Sequence, residues 1–533
     1  MSGGIARASA LIGAGTLVSR LTGLLRTIVL VAAIGSVQSR AGDAFAVANQ
    51  LPNIIYTIIS TGLLTAVIVP QIVKVAANPD GGQAFISKLV TMGTVVLLGT
   101  TALAVALAPW LVVLYAPDFP PDQLALATSF AYWCLPQILF YGLFALLGEI
   151  LNARRVFGPY TWAPIINNLV SIAGFAIFIL LFGPEQTVVS DWTPGMIALL
   201  GGTATLGIVL QTLLLVFFWR RAGLHLRPDF RWRGLGLGRL RNLAKWTFLM
   251  VLAGQLAGLV QSRVLSPASG EGAAMMASQN AWLIFMLPYS IIVLSIGTPY
   301  FTQLSEHAHA GRDDEVRADI GSSIRTLGLF TVIATAALMV ASIPASRIFT
   351  ATPEQAVEAA LVLVCFLVSL VPLAVLFVVQ RTFYAYDDTR TPFFFTLLQT
   401  AIVIATALIA SATLPLDRLA AGVALGQSIS STIQVIVATW LLNRRLGGIG
   451  VGRWMLSLGR FALAAVPAAA AGWGTFLLLG GVDGWTVSDR LLGAVGTAVI
   501  GAVAVLVYLG ALALLRAPEL AVVGPIIRKL RGR

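Results

Sequence analysis

Charged residues are scarce in this chain, and their scarcity excludes most soluble proteins. Only 11% of the 533 residues are Asp, Glu, Lys or Arg, whereas an average soluble protein contains about 25%. Hydrophobic residues make up 58% of the sequence. Apolar stretches of the roughly 20 residues that cross a bilayer recur from end to end, and no soluble domain of appreciable size fits between them. The composition therefore predicts a membrane protein.

Cysteine and histidine are scarcer still. Cys134 and Cys365 fall inside apolar stretches, where we expect packing rather than a disulfide or a metal site. The three histidines, His225, His307 and His309, are predicted in polar loops, too scattered for a catalytic or metal-binding group. The sequence also contains no phosphate-binding glycine loop with a lysine and no His-Glu metal motif. We therefore predict a protein that is not an enzyme, with no cofactor and no bound metal.

What the chain does contain is a series of fourteen apolar spans, predicted as helices because they are long runs rather than short alternating segments. Their limits are approximately 10–34, 44–75, 88–114, 124–151, 160–183, 194–219, 242–266, 273–303, 322–346, 356–382, 392–413, 419–442, 457–480 and 491–515. The predicted fold is an all-α polytopic membrane protein with about 14 transmembrane helices.

Basic residues orient these spans. If the N-terminus is cytoplasmic, the even-numbered loops are cytoplasmic, and most arginines lie in those loops or in the C-terminal tail. This is the positive-inside pattern. The residues on that side are Arg154, Arg155, Arg220, Arg221, Arg227, Arg231, Arg233, Arg239, Arg241, Lys245, Arg312, Arg317, Arg390, Arg444, Arg445, Arg453, Arg528, Lys529, Arg531 and Arg533. The net charge of +12 is thus mainly a topology signal and requires no nucleic acid partner. The basic stretch Arg220–Lys245 fits two interpretations, a segment on the anionic leaflet or a solvated linker.

The sequence also contains an internal repeat. Pro52 in span 2 and Pro288 in span 8 are 236 residues apart, as are Pro136 in span 4 and Pro372 in span 10. Six spans per repeat predict two pseudo-symmetric, parallel six-helix lobes plus two C-terminal helices. The predicted domains are an N-lobe at 1–221, a basic linker at 222–241, a C-lobe at 242–445, and spans 13 and 14 with a basic tail at 446–533.

Two charges inside span 1 are the main functional signal. Arg20 and Arg26 lie about 15 and 24 Å along a helix that begins near residue 10, and span 1 contains no acidic residue. Intramembrane charges are functional hypotheses by default, and two guanidinium groups suit an anion such as a diphosphate, which they grip bidentately. The alternative is a structural pair, bonded to carbonyls or to Glu149 of span 4.

Other polar residues inside the spans are weaker candidates. Span 2 is polar in its outer half, and asparagines flank the turn between spans 4 and 5 and open span 8. The candidates for a gate or cavity are Asp43, Asn49, Asn53, Asn152, Asn168 and Asn280. Each asparagine alone is also compatible with a hydrogen bond between helices.

Several motifs together resemble the MurJ/MviN family. Ser19-Arg20-Leu21-Thr22-Gly23-Leu24-Leu25-Arg26 is similar to the first-helix motif of that family. It is followed by Asp43-Ala44-Phe45 and Leu51-Pro52-Asn53. Further on, Ile150-Leu151-Asn152-Ala153 and Phe383-Tyr384-Ala385 resemble the turns after spans 4 and 10. The resemblance covers almost the whole chain and preserves the order of the motifs.

The resemblance implies a flippase of the multidrug/oligosaccharidyl-lipid/polysaccharide exporter superfamily. Such proteins move lipid II, the undecaprenyl-diphosphate-linked peptidoglycan precursor, to the outer leaflet of the bacterial cytoplasmic membrane by alternating access. By the same resemblance, Arg20 and Arg26 would hold the diphosphate, Asp43 would belong to the outer gate, and a groove near spans 13 and 14 would hold the lipid tail. Membrane lipids, and cell-wall synthesis or division proteins, are the partners that it suggests.

The sequence departs from this family in two places. Other members carry arginines in span 2 and span 8, where this chain has Ile54-Ile55-Tyr56-Thr57 and Asn280-Ala281-Trp282-Leu283. Some members also have acidic residues in spans 7 and 11, and this chain has none there. A four-arginine site and a carboxylate sodium site are therefore not expected. The competing interpretations are an exporter of another lipid-linked polysaccharide or small molecule, a membrane transferase, and a non-transporting scaffold.

Overall fold

The computed structural model describes residues 2–63, 82–154, 156, 158–221, 227–231 and 241–522, and the regular structure within these ranges is helical with no β-strand. The chain forms two compact units, Met1–Ser269 and Gly270–Arg533. The predicted lobe boundary at 222–241 falls mostly outside the described residues, so the predicted domain limits stay a prediction.

The first unit consists of long helices joined by short connections. In chain order they are α1 (Ser2–Ile34), α2 (Arg40–Leu63), α3 (Gln83–Ala106), α4 (Ala108–Tyr115), α5 (Pro121–Cys134), α6 (Gln137–Ala153), α7 (Gly158–Phe182), α8 (Pro194–Arg221) and α9 (Arg241–Leu265).

The second unit is built in the same way. Its helices are α10 (Met275–Pro288), α11 (Ser295–His309), α12 (Asp313–Val340), α13 (Ser342–Arg347), α14 (Pro353–Leu367), α15 (Leu370–Ala385), α16 (Arg390–Thr413), α17 (Leu416–Arg445), α18 (Val451–Leu478) and α19 (Arg490–Leu514). A π-helical segment, Tyr289–Leu294, joins α10 to α11.

Twelve helical segments among the described residues are long and apolar enough to cross a membrane, and they coincide with predicted spans 3 to 14. Many apolar side chains point outward from them: Leu180, Leu478 and Leu514 are 83%, 89% and 87% exposed. Outward leucines are expected where lipid surrounds the helices, because lipid tails are as apolar as leucine. The prediction of a polytopic helical membrane protein is confirmed. The count of fourteen stays a prediction, since α1 and α2 are not among the twelve.

Two of the predicted spans are broken near the repeated prolines Pro136 and Pro372, although both were predicted as continuous. Span 4 divides into α5 and α6 at Leu135–Pro136, and span 10 divides into α14 and α15 just before Pro372. A break leaves backbone carbonyls without partners, and in a membrane protein neighbouring side chains must supply them. Ser369 Oγ donates to the carbonyl of Phe366 at 2.7 Å, and Ser428 Oγ of α17 donates to the carbonyl of Cys365 at 2.6 Å.

Small residues allow α7 and α8 to pack closely. A Cβ added to Gly174 would lie 2.4 Å from the side chain of Thr203, and one added to Gly207 would lie 2.4 Å from that of Asn167. Close backbone approach through small residues is the usual way in which membrane helices associate. Of this pair, α7 also lines a cavity together with α1 and α6.

One sequence prediction is wrong at this level. His307 and His309 lie in helix α11, not in a polar loop, because the helix continues past the apolar span to residue 309. His307 is then held between two carboxylates of α12: Nδ1 lies 2.7 Å from Asp319 Oδ2, and Nε2 lies 2.9 Å from Glu315 Oε2. His225 lies outside the described residues.

Candidate functional site

Helix α1 is fixed against α7 by one asparagine. Asn168 is buried, and its Nδ2 donates to the carbonyl of Ser19 and to Thr22 Oγ1, both at 3.0 Å. A single side chain thus binds α1 on either side of Arg20 and sets the rotation of the helix. Asn168 therefore contributes a helix-to-helix contact beside the site.

Arg20 lines a cavity of about 570 Å³ in the first unit. The volume lies within the roughly 300–1,000 Å³ of typical ligand pockets. The lining residues come from α1, α6 and α7: Thr16, Ser19, Arg20, Phe144, Asn152, Tyr160, Thr161 and Pro164. Two residues selected from sequence, Arg20 and Asn152, are brought together here although 132 positions separate them in the chain.

Two aromatic residues that line the cavity form what we call the Phe144–Tyr160 wall. The rings of Phe144 and Tyr160 are stacked with centroids 5.0 Å apart. Gly148 makes this possible, because a Cβ there would lie 2.2 Å from the Tyr160 ring. The cavity therefore offers a guanidinium, amide and hydroxyl groups and flat apolar surface, a combination that suits an anion attached to a bulky, partly apolar group.

Arg26 has different surroundings. It is not among the residues that line the cavity, and it interacts electrostatically with the phenol of Tyr141 on α6. The ring of Tyr141 lies 5.8 Å from that of Tyr56 on α2. The structure thus brings Arg26 to α6, about 9 Å along α1 from Arg20 at 1.5 Å per residue.

The aromatic residues of α6 are the part of the site that the sequence analysis missed. Gln137, Tyr141, Phe144, Gly148 and Asn152 recur at spacings of four, three, four and four, which places them on one helix face. That periodicity was present in the sequence. It was hidden because tyrosine and phenylalanine in an apolar span are also typical packing residues.

Glu149 does not neutralise the arginines. Within the described part of the chain it forms no ion pair, and its electrostatic neighbours are Tyr56 and Tyr160. Of the two kinds of partner in the structural alternative, carbonyls or Glu149, the Glu149 pair is not found among the described residues. Arg20 and Arg26 remain the main positive charges of α1 in this region.

Asp43 lies apart from the cavity, in a hydrogen-bonded cluster at the start of α2. It is 1% exposed and accepts a hydrogen bond from Ser269 Oγ at 2.7 Å. Gln123 Nε2 donates to Ser269 Oγ at 2.8 Å and to the carbonyl of Arg40 at 2.9 Å. The cluster ties α2, α5 and the residues after α9 together.

The remaining asparagines divide by environment. Asn49 accepts from Gln137 Nε2 at 3.3 Å and links α2 to α6, whereas Asn53 is exposed. Asn280 lies in the second unit and is 4% exposed. The second unit also contains an intramembrane arginine that the sequence analysis missed: the guanidinium of Arg381 lies 5.1 Å from the ring of Phe301 and 5.2 Å from that of Phe377.

No carboxylate cluster is arranged for a metal in the part of the chain that the structure describes. Helices α9 and α16, which correspond to spans 7 and 11, contain neither Asp nor Glu.

Comparisons with known proteins agree with this architecture. The sequence matches the family model described as lipid II flippase MurJ over residues 31–495. A Synechocystis protein named probable lipid II flippase MurJ is 25% identical, over 98% of this chain and 96% of its own. A Rhizobium tropici protein of the same name is 26% identical, over 86% and 84%.

Solved structures show the same fold. A lipid II flippase MurJ in an inward closed conformation superimposes with a TM-score of 0.70 at 19% identity, over 93% of this chain and 98% of that one. An inward-facing multidrug resistance MATE transporter of the MOP superfamily gives 0.66 at 16% identity, over 81% and 95%. Since the family model covers most of its length, the chain belongs to the MurJ family of lipid II flippases.

Proposed function

We propose that this protein is a flippase that carries lipid II from the inner to the outer leaflet of the bacterial cytoplasmic membrane, by alternating access, for cell-wall synthesis. The observation that carries the proposal is Arg20, an intramembrane guanidinium that lines a ligand-sized cavity with Asn152 and an aromatic wall. Membership of the MurJ family and the names of its relatives support the same substrate.

The arginines of α1 suit the diphosphate of such a substrate. A guanidinium presents donors in a planar fork that matches phosphate oxygens, and it stays charged when water is removed. We assign Arg20 and Arg26 to the diphosphate, and Asn152 with the Phe144–Tyr160 wall to the group attached to it. Asp43 belongs to the outer gate, with Asn49, Asn53, Asn168 and Asn280 as further gate or cavity residues.

Transport of this kind involves no bond making, and the proposed protein is a carrier rather than an enzyme. Membrane lipids surround it, and cell-wall synthesis or division proteins are its proposed partners. The positive-inside pattern supports a cytoplasmic location for both termini.

The decisive experiment is depletion of the protein in its host, followed by measurement of lipid II exposed on the outer leaflet. Exposure should fall while total lipid II rises, and expression of the wild-type chain should restore it. If outer-leaflet lipid II stayed constant while another lipid-linked saccharide accumulated inside, the substrate assignment would be wrong but the transporter assignment would stand.

A further inference from the structure

A row of polar side chains joins α11 to α12 within the second unit, apart from the candidate site. Tyr300, Gln303 and His307 are spaced by three and four residues, so they lie on one face of α11. The hydroxyl of Tyr300 lies 3.3 Å from Thr326 Oγ1. Gln303 Nε2 donates to Asp319 Oδ1 at 3.1 Å. His307 lies at the end of this row, where the positive-inside pattern places the cytoplasm.

His307 has a carboxylate at each of its two ring nitrogens. Nδ1 lies 2.7 Å from Asp319 Oδ2, and Nε2 lies 2.9 Å from Glu315 Oε2. An ionised carboxylate only accepts hydrogen bonds, and a neutral imidazole has a single N–H to donate. Both contacts are therefore hydrogen bonds only when the three groups together hold one proton more than a neutral imidazole and two carboxylates.

The additional proton also balances the charge of the group. The side chains of His307 and Asp319 are 15% and 10% exposed, so this carboxylate is largely removed from water. Arg312 forms an ion pair with Glu315 at 2.9 Å. With the proton bound, the two positive and two negative charges of these four side chains cancel. Without it, the buried Asp319 carboxylate faces a neutral ring.

The charges that reach His307 come from α12 and from Arg312 before it. His309 is turned away, since its Nδ1 lies 2.7 Å from the carbonyl of Ser305. On α15, which packs against α11, the guanidinium of Arg381 lies over the Phe301 ring at 5.1 Å. The other ionisable side chains of the adjoining turns form no hydrogen bond or ion pair with His307 among the described residues: Glu306, His309, Asp313, Asp314, Arg317, Arg381, Tyr384 and Tyr386.

Helix α11 is the cytoplasmic half of predicted span 8, and the helical form of the span changes just before it. Helix α10 ends at Pro288, the π-helical segment Tyr289–Leu294 follows, and α11 begins at Ser295. Pro299 lies in the first turns of α11. Helices bend at π-helical segments and at prolines. The half-helix thus has a site for bending at one end and His307 at the other.

We propose that His307, Asp319 and Glu315 form a cytoplasmic proton-binding site, which fastens α11 to α12 and releases it when the proton leaves. Loss of the proton removes one hydrogen bond, because a neutral ring turns a lone pair toward one of the two carboxylates. Imidazole groups change charge between about pH 5 and 8. The end of α11 therefore separates more often from α12 as the cytoplasmic pH rises. The proposal does not depend on which substrate the protein carries.

The test is hydrogen–deuterium exchange of the purified full-length chain, read by mass spectrometry on peptides that cover residues 300–312. The exchange rates are corrected at each pH for the intrinsic rate of the amides. Between about pH 6 and about pH 8.5, the protection of these amides in the wild-type protein should fall about tenfold, which is about 1.4 kcal/mol of opening free energy.

Variants at the site separate the proton from the packing. His307→Gln removes the ring that titrates, and protection should then be the same at both pH values. His307→Lys keeps a positive charge at both pH values, and protection should stay high at both. Glu315→Gln replaces the half-exposed carboxylate by an amide that donates to a neutral ring, so protection should persist at about pH 8.5.

His309→Gln is the matched control, because this exposed histidine lies two residues further along the same helix. It should keep the wild-type dependence on pH. Circular dichroism and gel filtration establish that each variant is folded.

Three outcomes would overturn the proposal. The first is corrected protection of residues 300–312 that does not change with pH in the wild-type protein. The second is an unchanged pH dependence in the folded His307→Gln and Glu315→Gln proteins. The third is loss of the pH dependence in His309→Gln, which would assign the proton to the other histidine.

Discussion

At the level of single residues, the two arginines of α1 differ in what surrounds them. Arg20 faces a cavity with hydroxyl, amide and aromatic neighbours, whereas Arg26 lies beside the phenol of Tyr141. At a phosphate site, lysine is not an equivalent replacement for either arginine. The planar guanidinium fork can donate two parallel hydrogen bonds to one phosphate, and an ammonium group cannot. The proposed diphosphate site would therefore depend on the shape of these cations as well as on their charge.

Replacement of Arg20 or Arg26 by alanine should abolish flipping and weaken lipid II binding while the protein still folds. Truncating one partner of a buried, charged hydrogen bond costs about 2–5 kcal/mol, roughly thirty- to several-thousand-fold in affinity at 1.4 kcal/mol per decade. Lysine should restore binding only in part. Lipid II binding and melting temperature are measured on the same purified variants, with Arg418→Ala as the exposed control. Full-strength binding by a stable Arg20→Ala protein would remove the assignment.

The sequence predicted these arginines and Asn152, but not the aromatic residues beside them or the way the three helices meet. An arginine in an apolar span is conspicuous because the free-energy cost of placing its charge in the membrane is evident from that one span. The contribution of Tyr160, Phe144 and Asn152 depends on how α6 and α7 pack against α1. That packing joins residues more than a hundred positions apart, and a single sequence does not encode it in any local pattern.

At the level of helices, the site is built on one face of α6. The break at Leu135–Pro136 starts this helix, and its face then presents Tyr141, Phe144 and Asn152 in turn. The repeated prolines Pro136 and Pro372 were noted in the sequence as evidence of duplication, but spans 4, 8 and 10 were predicted as uninterrupted. What the sequence did not reveal is how the freed carbonyls are satisfied, since Ser428 reaches Cys365 from 63 residues away.

Gly148 provides a test of this face. In Gly148→Ala the added Cβ would lie 2.2 Å from the Tyr160 ring and force it off Phe144. Overpacking of this kind costs about 1–3 kcal/mol, so both the melting temperature and lipid II affinity should fall. Gly99→Ala is the matched control, because nothing lies within 4 Å of the new Cβ and Gly99 is exposed on α3. Equal behaviour of the two variants would show that the Phe144–Tyr160 wall is not needed.

At the level of the whole molecule, the order of the spans follows from composition alone. Predicted spans 3 to 14 coincide with the apolar helices because each apolar run is long enough to be recognised as a membrane span from its own residues. Span 2 was harder, since α2 mixes Asp43, Asn49 and Asn53 with apolar residues. The sequence nevertheless predicted span 2 at 44–75, and the structure has a helix there from Arg40 to Leu63.

The predicted topology is tested by reporter fusions in the connections. Motivated by the arginine asymmetry, fusions at Gly183, Gly270 and Gly484 should report the outside, and fusions at Gly223 and Gly447 the cytoplasm. Alkaline phosphatase and a fluorescent protein, used in parallel at each position, give opposite signals on the two sides. A cytoplasmic signal at Gly270 would contradict the division into lobes.

The last prediction concerns the energy source. Helices α9 and α16 have no carboxylate, and the described residues contain no group arranged for a metal, so we expect no strict sodium requirement. The proposed substrate is an anion, and its outward movement from a negative interior is favoured by about 2.3 kcal/mol per charge per 100 mV.

In proteoliposomes with an imposed potassium diffusion potential, flipping should slow when the potential is dissipated. Replacing sodium by a large organic cation at constant potential should change the flipping rate by no more than about twofold. A tenfold change would correspond to about 1.4 kcal/mol of activation free energy. The Arg20→Ala protein supplies the transport-dead baseline in the same vesicles. Collapse of transport on sodium removal at constant potential would contradict the prediction and would show that a sodium site exists outside helices α9 and α16.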